Sequence, residues 1–205
     1  MDIQNFSALF NTPARREAFL KLIKDNKTKH IFIQGLEGSS IALLFSNLLE
    51  HKQAHIIIAN DLDEAGYLYN DLVQINGNDH ILLFPSGYKR DIKYGQPDPP
   101  SEILRTEVLN RLCQKGESLL IVTYPEAIAE KVVPVNMLSE QTLHIDKNSK
   151  CDIITLSDKL RERGFEEVDY VYEPGQFAVR GSILDVFSYT NELPYRIDFF
   201  GKEVE

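Results

Sequence analysis

Apolar residues follow two rhythms along this chain, and the change falls near residue 125. Before it, short apolar runs alternate with helical spacings. Residues 31–33 (IFI) read as a short buried strand. Ile41, Leu44, Phe45 and Leu48 then recur at i, i+3, i+4 and i+7, the spacing of an amphipathic helix. Residues 54–59 (AHIIIA), 81–84 (ILLF) and 119–122 (LLIV) are apolar almost throughout, as expected of parallel strands covered on both faces. Helical signals separate them. Thr12-Pro13 reads as an N-cap with Pro at the first helical position, ahead of Phe19, Leu22 and Ile23. Asp61 with Glu64 is a capping-box-like start for a helix carrying Leu62, Ala65, Tyr69 and Leu72. Ser101 is expected to cap a helix carrying Leu104, Val108 and Leu112. This alternation predicts an α/β domain with a parallel sheet over residues 1–125.

Beyond Tyr124-Pro125 the pattern shortens. A helix to about residue 132 is expected, then an irregular polar stretch over 134–150 with one strand at 142–145. A helix over 156–163 should stop at Gly164, a typical residue just past a helix end. Four β-like runs follow at 168–172, 176–180, 182–187 and 195–200, separated by Pro174-Gly175, Gly181 and the 191–194 turn. They predict a small α+β domain with an antiparallel sheet over 126–205. The last residues, GKEVE, read as an end inside a longer protein.

The turn between the first strand and its helix carries the first candidate chemistry. Gly35, Leu36, Glu37, Gly38, Ser39 and Ser40 have the shape of a phosphate-binding loop, and the domain is phosphate-loop-like in outline. A working loop needs Lys at its end to reach the β/γ-phosphates and then Ser or Thr to hold Mg²⁺. Ile41 and Ala42 occupy those places. Neither carries charge nor ligates a metal, so the loop is degenerate and ATP hydrolysis is not expected. An ordinary strand-to-helix turn that never bound phosphate explains this stretch equally well.

Composition narrows the classes further. The 205 residues are 43% hydrophobic and 26% charged, as in a soluble globular protein. No apolar run spans a bilayer, no signal peptide opens the chain, and a cytoplasmic protein with no membrane partner is expected. Cys113 and Cys151 have no CxxC or His nearby and are expected to be reduced, partly buried thiols. A net charge of −9 opposes tight, sequence-independent DNA binding while leaving room for a local basic patch. The 85–100 loop places Lys89, Arg90 and Lys93 beside Tyr88 and Tyr94. Such interleaving can grip single-stranded nucleic acid. The acidic balance favours a solvated surface loop instead.

At FAVRGSILDVF (177–187) and PYRIDFFGKEVE (194–205) the chain resembles the UvrB-like module. That module is shared by the excision-repair helicase UvrB and the bacterial transcription-repair coupling (Mfd) family. GLEGSS, FPSGYKRDIKYGQPDPP and RERGFEEVDYVYEPGQF match in the same order, so the resemblance covers nearly the whole chain. UvrB keeps a Lys-Thr where this chain has Ile41 and Ala42, and it inserts a DNA-gripping hairpin after its Tyr-rich QP motif. Here only residues 98–104 separate that motif from Arg105. Both departures resemble the coupling-factor branch.

The resemblance implies a non-catalytic module without cofactor or metal. In it a degenerate domain 1a precedes a domain 2 that docks the excinuclease A subunit, UvrA. RNA polymerase and DNA would be reached only through other parts of a larger motor protein. The alternative is a UvrB-like nucleotide-dependent helicase. Residue by residue, the second docking arginine of the family falls on Arg180, the first on uncharged Ala178, and that of the preceding segment on Glu167 with reversed sign. The acidic residue before FFG falls on Asp198. Strand alternation puts Ala178 and Arg180 on one face and Phe177 and Val179 on the core face. Read from the residues alone, Arg180 forms an internal cross-strand pair with Asp198 or Asp185; the resemblance implies a partner contact. Phe187 is expected in the core, with the interface as second choice.

Overall fold

The computed structural model describes residues 3–25, 27–88, 98–114, 116–134, 143–191 and 193–205. The chain divides into two compact units, Met1–Ser86 with Asn110–Glu130, and Gly87–Leu109 with Lys131–Glu205.

In the first unit, helices α1 (Ile3–Phe10) and α2 (Pro13–Lys24) precede α3 (Ser40–Phe45), which tightens into a 3-10 turn at Ser46–Glu50. Strands β1 (Ala54–Ile58), β3 (Leu119–Thr123) and β2 (Ile81–Leu83) form a parallel sheet in that order. Helix α4 (Leu62–Asn76) links β1 to β2, and α6 (Pro125–Ala129) follows β3. The Asp61 carboxylate accepts from Glu64 N at 2.9 Å, so the predicted cap forms. Helix α5 (Pro99–Cys113) contributes residues to both units. It begins two residues before Ser101, whose hydroxyl donates instead to the Asp98 carboxylate at 2.6 Å.

The core of this unit gathers Phe19, Ala42, Leu44 and Leu48 with Ala65 and Leu72 against Ile57, Leu120 and Val122. Every residue of β3 is buried, as a central parallel strand requires. β1 departs from expectation, because Ile56 and Ile58 are each 60% exposed and only one face of this edge strand is covered. The expected strand at 31–33 is absent. Residues 28–37 carry no strand pairing, and Phe32 is 88% exposed. Three consecutive apolar residues satisfy a strand pattern without supplying the neighbouring ladder that a strand needs.

The second unit has five strands in sequential order: β4 (Glu166–Glu167), β5 (Gln176–Arg180), β6 (Ile183–Val186), β7 (Tyr195–Phe200) and β8 (Glu203–Val204). β5 through β8 pair antiparallel, and the two-residue β4 runs parallel to β5. β5 and β7 have the predicted bounds. The 168–172 run is not a strand, because the ladder takes Glu166 and Glu167 instead and leaves Tyr170 and Tyr172 exposed. Residues 143–145 also lie outside any strand, although Leu143 and Ile145 pack on the core. Helix α7 (Ile153–Glu162) starts three residues earlier than predicted because Asp152 caps it, accepting from Ile154 N at 3.0 Å. Gly164 follows at φ 82°, as expected just past a helix end. Leu156 and Leu160 of α7 pack on Phe177, Leu184, Val186, Phe199 and Val204.

Gly175 has a φ of 87°, and a Cβ there would run into the Tyr189 hydroxyl. Its N–H donates to Phe187 O and its carbonyl accepts from Glu166 N, both at 2.8 Å. Cys151 is half-buried, but Cys113 is exposed, since it ends α5 off the core; both are free thiols.

Candidate functional site

The face of the C-terminal sheet opposite its core is built by alternation. On β5 Phe177 and Val179 pack inward, so Ala178 and Arg180 lie on the other side. On β6 Leu184 and Val186 face the core, leaving Ile183 and Asp185. On β7 Ile197 and Phe199 face the core, leaving Arg196, Asp198 and Phe200. Register places Asp185 opposite Ala178 on one side and Arg196 on the other.

That register makes Asp185 the centre of the face. The Arg196 guanidinium donates to both of its oxygens, at 2.7 and 2.9 Å, in the fork geometry that suits a carboxylate. Arg180 bonds the same carboxylate and lies over the Tyr170 ring, 5.3 Å from its centroid. Asp185 is only 8% exposed, while the Arg180 and Arg196 side chains are 42% and 60% exposed. The Arg196 hydrogen bond, aided by Arg180 and opposed by burial, holds the Asp185 carboxyl below the usual carboxylate range. Both guanidinium groups reach solvent, and Asp198 on the same face brings the carboxylates to two against two cations.

Arg180 is therefore a member of the internal cross-strand pair with Asp185, and Asp198 is not its partner. Asp198 is exposed on the same face, opposite Ile183. Glu167, exposed on β4, is clamped by Arg161 of α7 at 2.6 and 3.1 Å. Its reversed sign is thus answered within the unit. Two expected contact residues lie under the surface. Ala178 is 1% exposed, because alternation fixed its direction but not whether that face was covered, and Phe187 is buried at the end of β6, as its core reading expected. Arg196 and the Tyr170 stack did not stand out as candidates; the sequence signal was the two-residue alternation Arg196, Asp198, which the register sets opposite Asp185 and Ile183.

The Gly-rich turn is differently made. Gly35 and Gly38 take φ of 83° and 53°. The Ser40 hydroxyl donates to Glu37 O at 2.7 Å and meets Glu37 N at 2.8 Å, so the turn closes on itself. Ser39 makes no side-chain cap to α3. Ile41 is half-buried, and Ala42 is wholly buried in the first unit's core. At the carboxyl end of β3, where ligands of open α/β sheets sit, Tyr124 Oη accepts from Ser86 N at 2.8 Å and the Ser86 hydroxyl donates to Glu130. His51 and His55 stand 3.3 Å apart by ring nitrogens, and burial, with His51 beside it, lowers the His55 pKa. Among the described residues no three His, Cys, Asp or Glu are placed to hold a metal, and no helix is long and apolar enough to cross a membrane. Lys89, Arg90, Lys93 and Tyr94 lie outside the described residues.

Residues 143–205, which include every strand and helix of this face, match the family model described as "UvrB interaction domain". The C-terminal part of the chain is thus a UvrB-type interaction module. The whole chain is 29% identical over 178 residues to the transcription-repair-coupling factor of Bacillus subtilis, covering 86% of this chain and 15% of that protein. The corresponding Escherichia coli protein is 29% identical over 173 residues, covering 83% and 15%. The "UvrABC system protein B" of Aster yellows witches'-broom phytoplasma is 26% identical over 210 residues, covering 92% and 31%. Over most of its length the chain is thus similar to transcription-repair-coupling factors, and over 143–205 to the UvrB interaction domain. It spans about 15% of the length of the coupling factors it matches.

Proposed function

We propose that this chain is a non-catalytic recruitment module, and that its C-terminal unit docks the excinuclease A subunit, UvrA, in transcription-coupled nucleotide excision repair. The observation that carries the reading is the coincidence of the 143–205 match with the exposed Arg180–Asp185–Arg196 face. Arg180 and Asp198 contact the partner. Glu167 borders the surface, and Ala178 and Phe187 support it from beneath. The solvent-reaching guanidinium of Arg180 suits a carboxylate on UvrA. In the longer protein the module brings UvrA to stalled RNA polymerase, in the cytoplasm. The motor that moves along DNA with ATP belongs to other parts of that protein. Two units bounded by the change of pattern near residue 125, a degenerate domain 1a and a domain 2, complete the reading. A nucleotide-dependent helicase finds less support, since Ala42 is buried where Mg²⁺ would need a hydroxyl.

The test is a titration of UvrA against the wild-type chain and Arg180→Ala, with thermal melts alongside. Truncating a charged group at a desolvated interface costs about 2–5 kcal/mol of binding, so affinity should fall at least tenfold with the melt nearly unchanged. Unchanged affinity would move the docking surface elsewhere. Loss of affinity together with a lowered melting temperature would make Arg180 structural, acting through Asp185.

A further inference from the structure

The positive charge of this acidic chain is unevenly spread. Residues 13–30 hold six basic side chains, Arg15, Arg16, Lys21, Lys24, Lys27 and Lys29, against Glu17 and Asp25, in a chain of net charge −9. All eight are exposed. Three of them are engaged locally. Arg16 forms a fork with Glu50 at 2.7 and 2.8 Å. Arg15 lies over Phe10, 4.9 Å from the ring centroid, and donates to Phe10 O. The Asp25 carboxylate accepts from Lys27 N and the Thr28 hydroxyl, at 3.0 and 2.8 Å. Among the described residues, Lys21, Lys24, Lys27 and Lys29 form no ion pair with a carboxylate. Lys21 and Lys24 line an open groove of about 650 Å³ together with Arg16, Leu20 and the acidic Glu17, Asp25 and Glu50.

Lys21 and Lys24 sit in the last turn of α2, where the helix dipole favours cations. That accounts for two of the four. Lys27 and Lys29 lie beyond the helix and continue the same charge along the chain. We propose that these four lysines form a contact for the phosphate backbone of duplex DNA, independent of UvrA docking. Lysine is a compact charge on a flexible stem without a fixed fork, and it is depleted at protein–protein interfaces. Such a set suits sequence-independent phosphate contacts more than a shaped protein epitope. Duplex DNA carries the densest row of charge, about one per 1.7 Å of axis. The net charge of −9 keeps the contact weak at physiological salt, so it would act beside stronger DNA contacts rather than alone.

The experiment follows the anisotropy of a short labelled duplex against the whole chain from low to physiological salt. Four phosphate contacts predict a log–log salt slope of about −3 to −4. Lys21→Glu/Lys24→Glu and Lys27→Glu/Lys29→Glu should each reduce the slope magnitude by about 2 and weaken low-salt binding at least tenfold. The second pair leaves the helix untouched, so loss of folding in the first does not decide the result. Absence of binding at low salt, or a slope indifferent to both pairs, overturns the proposal. Tighter binding of a poly-glutamate peptide than of the duplex reassigns the patch to an acidic protein. Preference for a single strand, lost with Phe32→Ala, reassigns it to base stacking.

Discussion

On β1, Ile56 and Ile58 are each 60% exposed, whereas the face of β5–β7 opposite its core carries Arg180, Asp185, Arg196 and Asp198. Both follow from strand alternation, yet they leave the two sheets in different conditions. The charged face is answered internally, since each arginine finds Asp185 and no buried side-chain polar atom among the described residues lacks a partner. On the apolar face the two isoleucines stay exposed. Ion pairs let an exposed face satisfy itself when alone, where bare isoleucines do not.

Four variants sharpen or break that comparison. Phe177→Ala should have the largest effect, about 3–5 kcal/mol of stability by urea titration, because the ring is fully buried under the charged face. A small loss would mean that the face stands without its core. Asp185→Asn comes next. It leaves two guanidinium groups sharing a neutral amide, at a cost of about 1–3 kcal/mol. This variant also has a pH signature. The folded pKa of Asp185 is depressed, so its stabilisation is present above the unfolded value of about 3.9 and is lost as pH falls through the folded value. Wild type should therefore lose stability more steeply than Asp185→Asn below about pH 4; parallel acid profiles would sink the assignment.

Ile41→Lys/Ala42→Thr should cost about 1–3 kcal/mol by overpacking at Ala42. It should also yield no ATP turnover in a coupled phosphate-release assay. Turnover would show that the Gly-rich turn retains a working site. Smallest is Ile56→Thr, expected within about 0.5 kcal/mol of wild type in a thermal melt because the side chain is already in solvent. A larger loss would show that this face is covered in solution.

Legibility followed the strength of the local pattern. β5 and β7 were readable to the residue because they are short β-forming runs whose ends are marked by Pro174-Gly175, Gly181 and the 191–194 turn. Residues 31–33 and 168–172 misled for the same reason, since β-forming side chains say nothing about whether a partner strand is present. Tyr170 shows the alternative use, stacking on Arg180 instead of extending a ladder. The exposed placement of Arg180 and Asp198 on the sheet face was legible, and the Asp185 pairing of Arg180 was one of two options. The choice between them rests on cross-strand register, which a single strand does not encode.

The corner at Gly175 has an evolutionary consequence. With φ at 87° and the Tyr189 hydroxyl where a Cβ would stand, this position is closed to drift while its neighbours remain open. The exposed Arg180, Arg196 and Asp198 side chains on the sheet face meet no such steric limit. The corner that sets β4 beside β5, through Glu166 and Phe187, must keep a glycine for as long as an aromatic ring fills the space above it.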